Sequence, residues 1–235
     1  MKRVLETEDM GEVEIMQAYD NLKTLDLVND YFLNRALELC PRGKVLDIGC
    51  GTGKILRCIK GDYEKHGLDL SNQLIEYARL QDSNSEYEIG DSNDLPYESG
   101  SFDLVMCHST LHHLEDPKRT IEEIIRVAKP TGAVFVRDLI RPSREEVLQS
   151  LFLGSLARDY DEQNKRLFEN SLRSSFTHDE WKGYFPKEID VSNVFFYNIT
   201  ERFAQGVNVD LQERKLREIE FTRKRSLILK NTYKL

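Results

Sequence analysis

The sequence predicts an α/β fold, a mostly parallel sheet with helices on both faces. Three observations carry this reading. Five short apolar runs alternate with helical patterns between residues 44 and 136. The first run opens into a glycine-rich loop and then a helix. Polar residues gather where each run ends, and ligands of parallel sheets bind beyond the carboxyl ends of the strands.

At 235 residues the chain has room for one good-sized domain and a small appended region. Its 40% hydrophobic and 31% charged residues fit a globular protein rather than a disordered one. The formal charge of −8 disfavours a large nucleic-acid footprint, because phosphate binding needs a basic surface. No run approaches the roughly 18 apolar residues of a membrane span. The opening Met1 to Met10 has no apolar h-region, so no secretory signal is expected. The four cysteines, Cys40, Cys50, Cys58 and Cys107, form no C-x-x-C pair. A reduced, cytoplasmic protein is expected, a monomer or homodimer, with no metal site.

Residues 1–40 read as a helical lead-in, with Leu25, Val28, Phe32 and Ala36 at helical spacing. The breaker cluster Cys40-Pro41-Arg42-Gly43 ends it. Strand one is Lys44 to Ile48, followed by the glycine loop and a short helix through Ile55, Leu56 and Ile59. Strand two runs from Tyr63 to Leu68 and ends at Asp69; Ser71 then stands where an N-cap belongs. Strand three is Glu86 to Ile89 and strand four Phe102 to Cys107. After Pro117, Ile121, Ile124, Ile125 and Ala128 make one apolar helix face. Lys129-Pro130-Thr131-Gly132 separates that helix from strand five, Ala133 to Val136.

Beyond residue 140 the alternation stops. Ser143 with Glu146, and Thr177 with Glu180, read as capping boxes. Residues 141–188 read as a helical insertion forming a partial lid, with breaks at Gly154 and Tyr160-Asp161. Its aromatics, Phe152, Tyr160, Phe168, Phe176, Trp181, Tyr184 and Phe185, line a pocket or form a core, and core is the safer reading. Residues 189–235 offer two more strands, Val191 to Tyr197 and Phe221 to Leu229, for seven in all.

Spacing in the loop Asp47-Ile48-Gly49-Cys50-Gly51-Thr52-Gly53-Lys54 separates three ligand classes. A phosphate-cradling NTPase loop needs Gly at 48 and Ser or Thr at 55, where the chain has Ile48 and Ile55. A dinucleotide fingerprint from Gly49 needs a third glycine at 54, which is Lys54. The pattern D-x-G-x-G-x-G instead resembles motif I of the class I S-adenosylmethionine-dependent methyltransferases. Asp69, twenty residues after Gly49, stands where an acid can accept both ribose hydroxyls. Gly90 to Pro96 resembles the family's adenine-side loop. Ser101 to Val105 with Leu111-His112-His113-Leu114 resembles motif IV of its ubiquinone/menaquinone-biosynthesis type. The resemblance covers about residues 41–140, the S-adenosylmethionine-binding core.

The resemblance implies a Rossmann-like fold and a methyltransferase that binds S-adenosyl-L-methionine and releases S-adenosyl-L-homocysteine. Gly49, Cys50, Gly51, Thr52 and Gly53 would wrap the methionine part, its carboxylate met by backbone N–H groups. Asp47 would orient the amine, Asp69 the ribose, Leu70 and Asp91 the adenine, and Ser92 would add a backbone contact. Tyr19 resembles a tyrosine that closes over the cofactor, and His108 would sit near the sulfonium. Helix packing for Tyr19, a turn cap for Asp91 and a partly buried histidine bonded to backbone for His108 are the structural alternatives.

His112 and His113 are candidates for a general base, because imidazole titrates near neutral pH. Alternatively one caps the loop after strand four and the other packs. Asp138 and Arg141, past strand five, could orient a polar substrate or pair with each other. Cys107 reads as a buried strand residue rather than a nucleophile. The expected acceptor is a small molecule. Two alternatives stay open: a tRNA or rRNA methyltransferase using the basic stretch 213–235, and a cofactor-binding protein without turnover.

Overall fold

In the computed structural model, β1 (Gly43–Ile48) occupies the middle of a sheet, and its residues show why. Val45, Leu46 and Ile48 are fully buried, as a strand covered on both faces requires. The described residues are 1–6, 37, 40–142, 144–146, 148–149 and 162–184, with the backbone of 194–195 and 218–221. After β1 come α1 (Lys54–Cys58), β2 (Tyr63–Asp69), α2 (Asn72–Gln81), β3 (Glu86–Ile89) and β4 (Phe102–His108). A 3-10 turn (Leu111–His113), α3 (Lys118–Val127) and β5 (Ala128–Arg137) follow. The five strands are parallel, in the order β3-β2-β1-β4-β5.

Period-two alternation divides the core. Leu46, Ile48, Val105, Cys107, Val134 and Val136 face α3, whose Ile121, Ile124 and Val127 cover them. Val45, Leu104, Met106, Ala133 and Phe135 face α1 and α2 through Ile55, Leu56, Ile75 and Ala78. The α2 start is held by Ser71, whose hydroxyl accepts the Leu74 N–H at 3.3 Å. α3 also holds the loop after β3. Buried Glu123 accepts the Leu95 N–H at 2.9 Å, and Arg126 donates to the Tyr97 carbonyl at 2.6 Å.

One boundary differs from the sequence reading. Ala128 does not lie on the helix; it is extended and opens β5, which runs through Lys129-Pro130-Thr131-Gly132 without a break. The pairing register with β4 shifts between Phe102 and Leu104. Such an irregularity admits a proline that lacks a ladder donor.

Beyond β5, α4 (Glu162–Ser174) and α5 (His178–Tyr184) pack over the carboxyl rim. The Thr177 capping box forms: Glu180 accepts the Thr177 N–H at 2.6 Å, and Thr177 accepts the Glu180 N–H at 3.3 Å. Trp181 and Phe176 are buried, with rings edge to face at 5.0 Å, so these aromatics are core. β6 (Val194–Phe195) pairs antiparallel with β7 (Glu218–Phe221), and β7 pairs antiparallel with β5. The last expected strand therefore begins earlier than Phe221. Tyr19 and most of the lead-in lie outside the described residues. So do Ser143, Phe152, Tyr160, Phe185 and most of 213–235. Among the described residues, no helix is long and apolar enough to cross a membrane.

Candidate active site

The loop between β1 and α1 turns through three glycines at positive φ: Gly49 at 68°, Gly51 at 52° and Gly53 at 73°. A side chain at Gly49 would strike Thr110, and one at Gly53 would strike the Tyr87 hydroxyl. At Gly51 nothing lies within 4 Å, so the loop leaves open space there. Cys50 and Thr52 turn inward and are buried. The loop spends much of its own donor capacity. Gly49 and Cys50 donate to the Leu68 carbonyl at 2.8 and 3.1 Å, and Gly53 donates to that of Cys50 at 2.9 Å. With α1 only five residues long, little helix dipole is left to greet an anion.

Asp47 is the anomaly of this region. It is 1% exposed, and neither carboxylate oxygen has a hydrogen-bond partner. Burial, with the nearby Asp69 carboxylate, pushes its carboxyl up to about 8. A buried carboxyl without partners costs stability unless it stays protonated or meets a cation. Asp69, at the end of β2, accepts the Gly51 and Ser71 N–H groups, each at 2.9 Å. A carboxylate has about four lone-pair positions, so Asp69 keeps capacity for a ligand. Beside it, Leu70 is 73% exposed and offers an apolar surface. Asp91 is exposed and accepts the Asn93 N–H at 2.8 Å, an Asx turn. The Ser92 hydroxyl lies 3.1 Å from that of Thr120.

A second group of residues stands at the ends of β4 and β5. His108, half-buried, is pushed down to about 3 by burial and the neighbouring Arg137, so its imidazole is neutral. His112 is buried, and its Nδ1 lies 2.5 Å from Asp138 Oδ1. The His112 backbone N–H also donates to Asp138, at 3.2 Å. Burial alone would lower the His112 imidazole, but Asp138 and Glu6 overcome it and hold it above its ordinary value. Burial would likewise raise Asp138, and His112 instead keeps it below the usual carboxylate range. His113 is half-buried, with Nδ1 3.1 Å from Glu6 Oε2. The two groups meet where Thr110 packs beneath Gly49.

One expected alternative needs correction, whereas Cys107 is buried as its strand position led one to expect. Asp138 and Arg141 do not pair with each other. Arg141 is buried and makes a two-pronged contact with Glu180 at 2.9 and 2.8 Å, and it also donates to the Ser175 and Met1 carbonyls. Its guanidinium is directed at acceptors of the protein itself, as a charge in the interior requires. Cys107 is buried in β4, and burial pushes its thiol well above the ordinary range, which disfavours a nucleophile.

The structure also adds residues that the sequence reading missed. Met1 to Glu6 strap across this rim. Arg3 donates to the carbonyls of Ser174 at 2.6 Å and Glu115 at 2.9 Å and lies 3.8 Å over the Phe176 ring. Glu6 reaches both histidines. No periodicity or spacing signals a contact between residues so distant in the chain.

Residues 46–136 match the family described as "Methyltransferase domain". Over 119 residues the chain is 30% identical to the demethylmenaquinone methyltransferase of Thermotoga maritima, covering 49% of this chain and 52% of that protein. Over 111 residues it is 34% identical to the ubiquinone biosynthesis O-methyltransferase of Thiobacillus denitrificans, covering 45% and 48%. The chain thus spans about half the length of these curated relatives. Among solved structures it is similar to the plantazolicin methyltransferase BamL, in complex with a triazolic desmethylPZN analog and SAH. The TM-score is 0.66 at 16% identity, covering 92% of this chain and 93% of that one. At that identity the likeness concerns the fold.

Proposed function

We propose that this chain, whose residues 46–136 are a class I methyltransferase domain, transfers a methyl group from S-adenosyl-L-methionine to a small molecule. The observation that carries the reading is Asp47, buried without a partner at the foot of a loop whose middle glycine faces open space. That combination fits the cofactor's amino-acid end. A cationic amine would satisfy the orphaned carboxylate, and the missing Cβ at Gly51 leaves room for it. Asp69 would accept the ribose hydroxyls with its remaining lone pairs, and Leu70 would pack on the adenine. Asp91 and Ser92 would border the adenine from the loop after β3, and Tyr19 would close over the cofactor.

When bound, the cofactor supplies a methyl group already activated on a sulfonium. The protein's own contribution is to position two reactants and exclude water. His108, neutral and at the end of β4, is suited to a place beside a cation. His112 and His113, with Asp138 fixing the first, would act on the acceptor. The insertion 141–188 would form a partial lid over it. A reduced cytoplasmic location accords with four cysteines that are all free. The net charge of −8 favours a small acceptor over nucleic acid.

Calorimetric titration of the full chain with S-adenosylhomocysteine tests the reading. Micromolar-range binding, lost in Asp69→Ala, is expected, as is transfer of labelled methyl into the small-molecule fraction of a cell extract. A folded chain that fails to bind the product overturns the whole reading. Label appearing only in RNA, with steep salt dependence, overturns the small-molecule part. Binding with no labelled product of any kind leaves a cofactor-binding protein instead.

A further inference from the structure

Glu6, His112 and His113 come from segments with no sequence proximity, yet one donor atom from each lies within 4.8 Å of the other two. Glu6 Oε2 is 3.1 Å from His113 Nδ1 and 3.8 Å from His112 Nε2. Ligands at about 2.0–2.2 Å from a tetrahedral ion stand about 3.3–3.6 Å from one another. The two measured separations bracket that range. Hydrogen bonding alone leaves the cluster incomplete, because His112 Nε2 is buried and, with Glu6 at 3.8 Å, has no hydrogen-bond partner.

Asp138 supplies the missing piece of the argument. With its carboxylate 2.5 Å from His112 Nδ1, Asp138 is placed to accept from that nitrogen, so that Nε2, on the side of Glu6, is the atom left to give up a proton and bind an ion. A carboxylate behind a histidine, fixing its tautomer and orientation, is the usual outer arrangement of a metal-bound imidazole. Glu6 is equally well held. Its carboxylate accepts the Ser171 hydroxyl at 3.2 Å, and the strap that carries it is pinned by Arg3 and by the Val4 N–H to the Arg173 carbonyl at 3.1 Å. Half-buried His113 leaves one side of the trio accessible.

We infer that Glu6, His112 and His113 form a three-donor site for a zinc-class divalent ion, with Asp138 positioning His112. Two imidazoles and one carboxylate suit such an ion better than calcium or magnesium, which prefer oxygen donors. Three protein ligands leave a fourth position open, as in catalytic rather than structural sites. That position would take a hydroxyl or thiol of the acceptor and make its proton easier to lose. This last step rests on the proposed methyl transfer; ion binding does not.

The test uses the full chain, stripped with a chelator and then equilibrated with zinc against a chromophoric competitor. One zinc per chain by elemental analysis is expected. Glu6→Gln and His113→Ala should each weaken it about tenfold or more. Melting temperatures of both variants check that they fold, and S-adenosylhomocysteine titration of the same samples separates this proposal from the preceding one. A folded wild-type chain that takes up no stoichiometric zinc overturns the site. So does undiminished zinc affinity in the Glu6→Gln, His113→Ala double variant, which would place the ion elsewhere, for example on thiols.

Discussion

Two neighbouring regions of the carboxyl rim treat buried charge in opposite ways. Around the glycine loop, Asp47 is buried with no hydrogen-bond partner among the described residues. Across the β1–β4 boundary, Asp138 is equally buried but bound to His112, and Arg141 is bound to Glu180. Paired charges are the ordinary way a fold tolerates ions in its interior. An unpaired one is a cost that the fold alone does not justify, so it points to something that arrives from outside. The same contrast runs through the glycines. Gly49 and Gly53 are closed by protein side chains, whereas Gly51 faces space.

Breaking the paired region should produce the largest effect. Asp138→Ala removes the nearer of the two carboxylates at a buried imidazole and leaves only Glu6 at 3.8 Å, and a loss of about 3–5 kcal/mol in urea unfolding is expected. A change below about 1 kcal/mol would mean that the pair does not hold the rim. Next in size is Asp69→Ala, which removes charge-assisted acceptors at about 1.5–3 kcal/mol each. Calorimetry should show cofactor affinity falling about a hundredfold or more, with a smaller change in stability from the freed Gly51 and Ser71 N–H groups.

The glycines sharpen the comparison. Gly53→Ala forces a side chain into Tyr87 at φ 73°, and about 1–3 kcal/mol of stability should be lost, read as a lowered melting temperature. Gly51→Ala carries only the conformational cost, about 1 kcal/mol, yet should weaken cofactor binding more than Gly53→Ala does per unit of stability lost. Equal ratios would remove the distinction between closed and open glycines.

The smallest signal is a proton. Asp47, with its carboxyl near 8 in the ligand-free chain, is mostly protonated at pH 7. A cationic amine beside it would lower that value, so binding at pH 7 should release up to about one proton. Calorimetry in two buffers of different ionisation enthalpy measures it, and Asp47→Asn should abolish it. Without ligand, the folded chain binds this proton more tightly than the unfolded one does. Its contribution to stability therefore declines as pH rises from about 4 toward 8. An unchanged pH profile in Asp47→Asn would show that the carboxyl does not titrate there.

Much of the architecture was legible because its causes are local. β1 to β4 begin and end within a residue of the runs read from the sequence, since apolar alternation marks a strand wherever it occurs. The Ser71 cap and the Thr177–Glu180 box were equally visible, each being a contact between residues three apart. The start of β5 was not. Pro130 and Gly132 read as breakers, and only the register shift opposite Phe102 explains how a strand passes through them.

The site divides along the same line. The spacing of Asp47, three glycines and Asp69 carried a resemblance that implies a cofactor class, and one strand, one turn and the next strand end do bring these residues together. Spacing could not show that Asp47 lacks a partner, that Arg141 is spent on Glu180, or that Glu6 reaches His112 and His113. Each of those facts concerns how distant segments satisfy one another's charges. A sequence determines local conformation through the period of its apolar residues. Which buried charge ends up paired is decided only when the strap, the rim and the helices beyond β5 pack together.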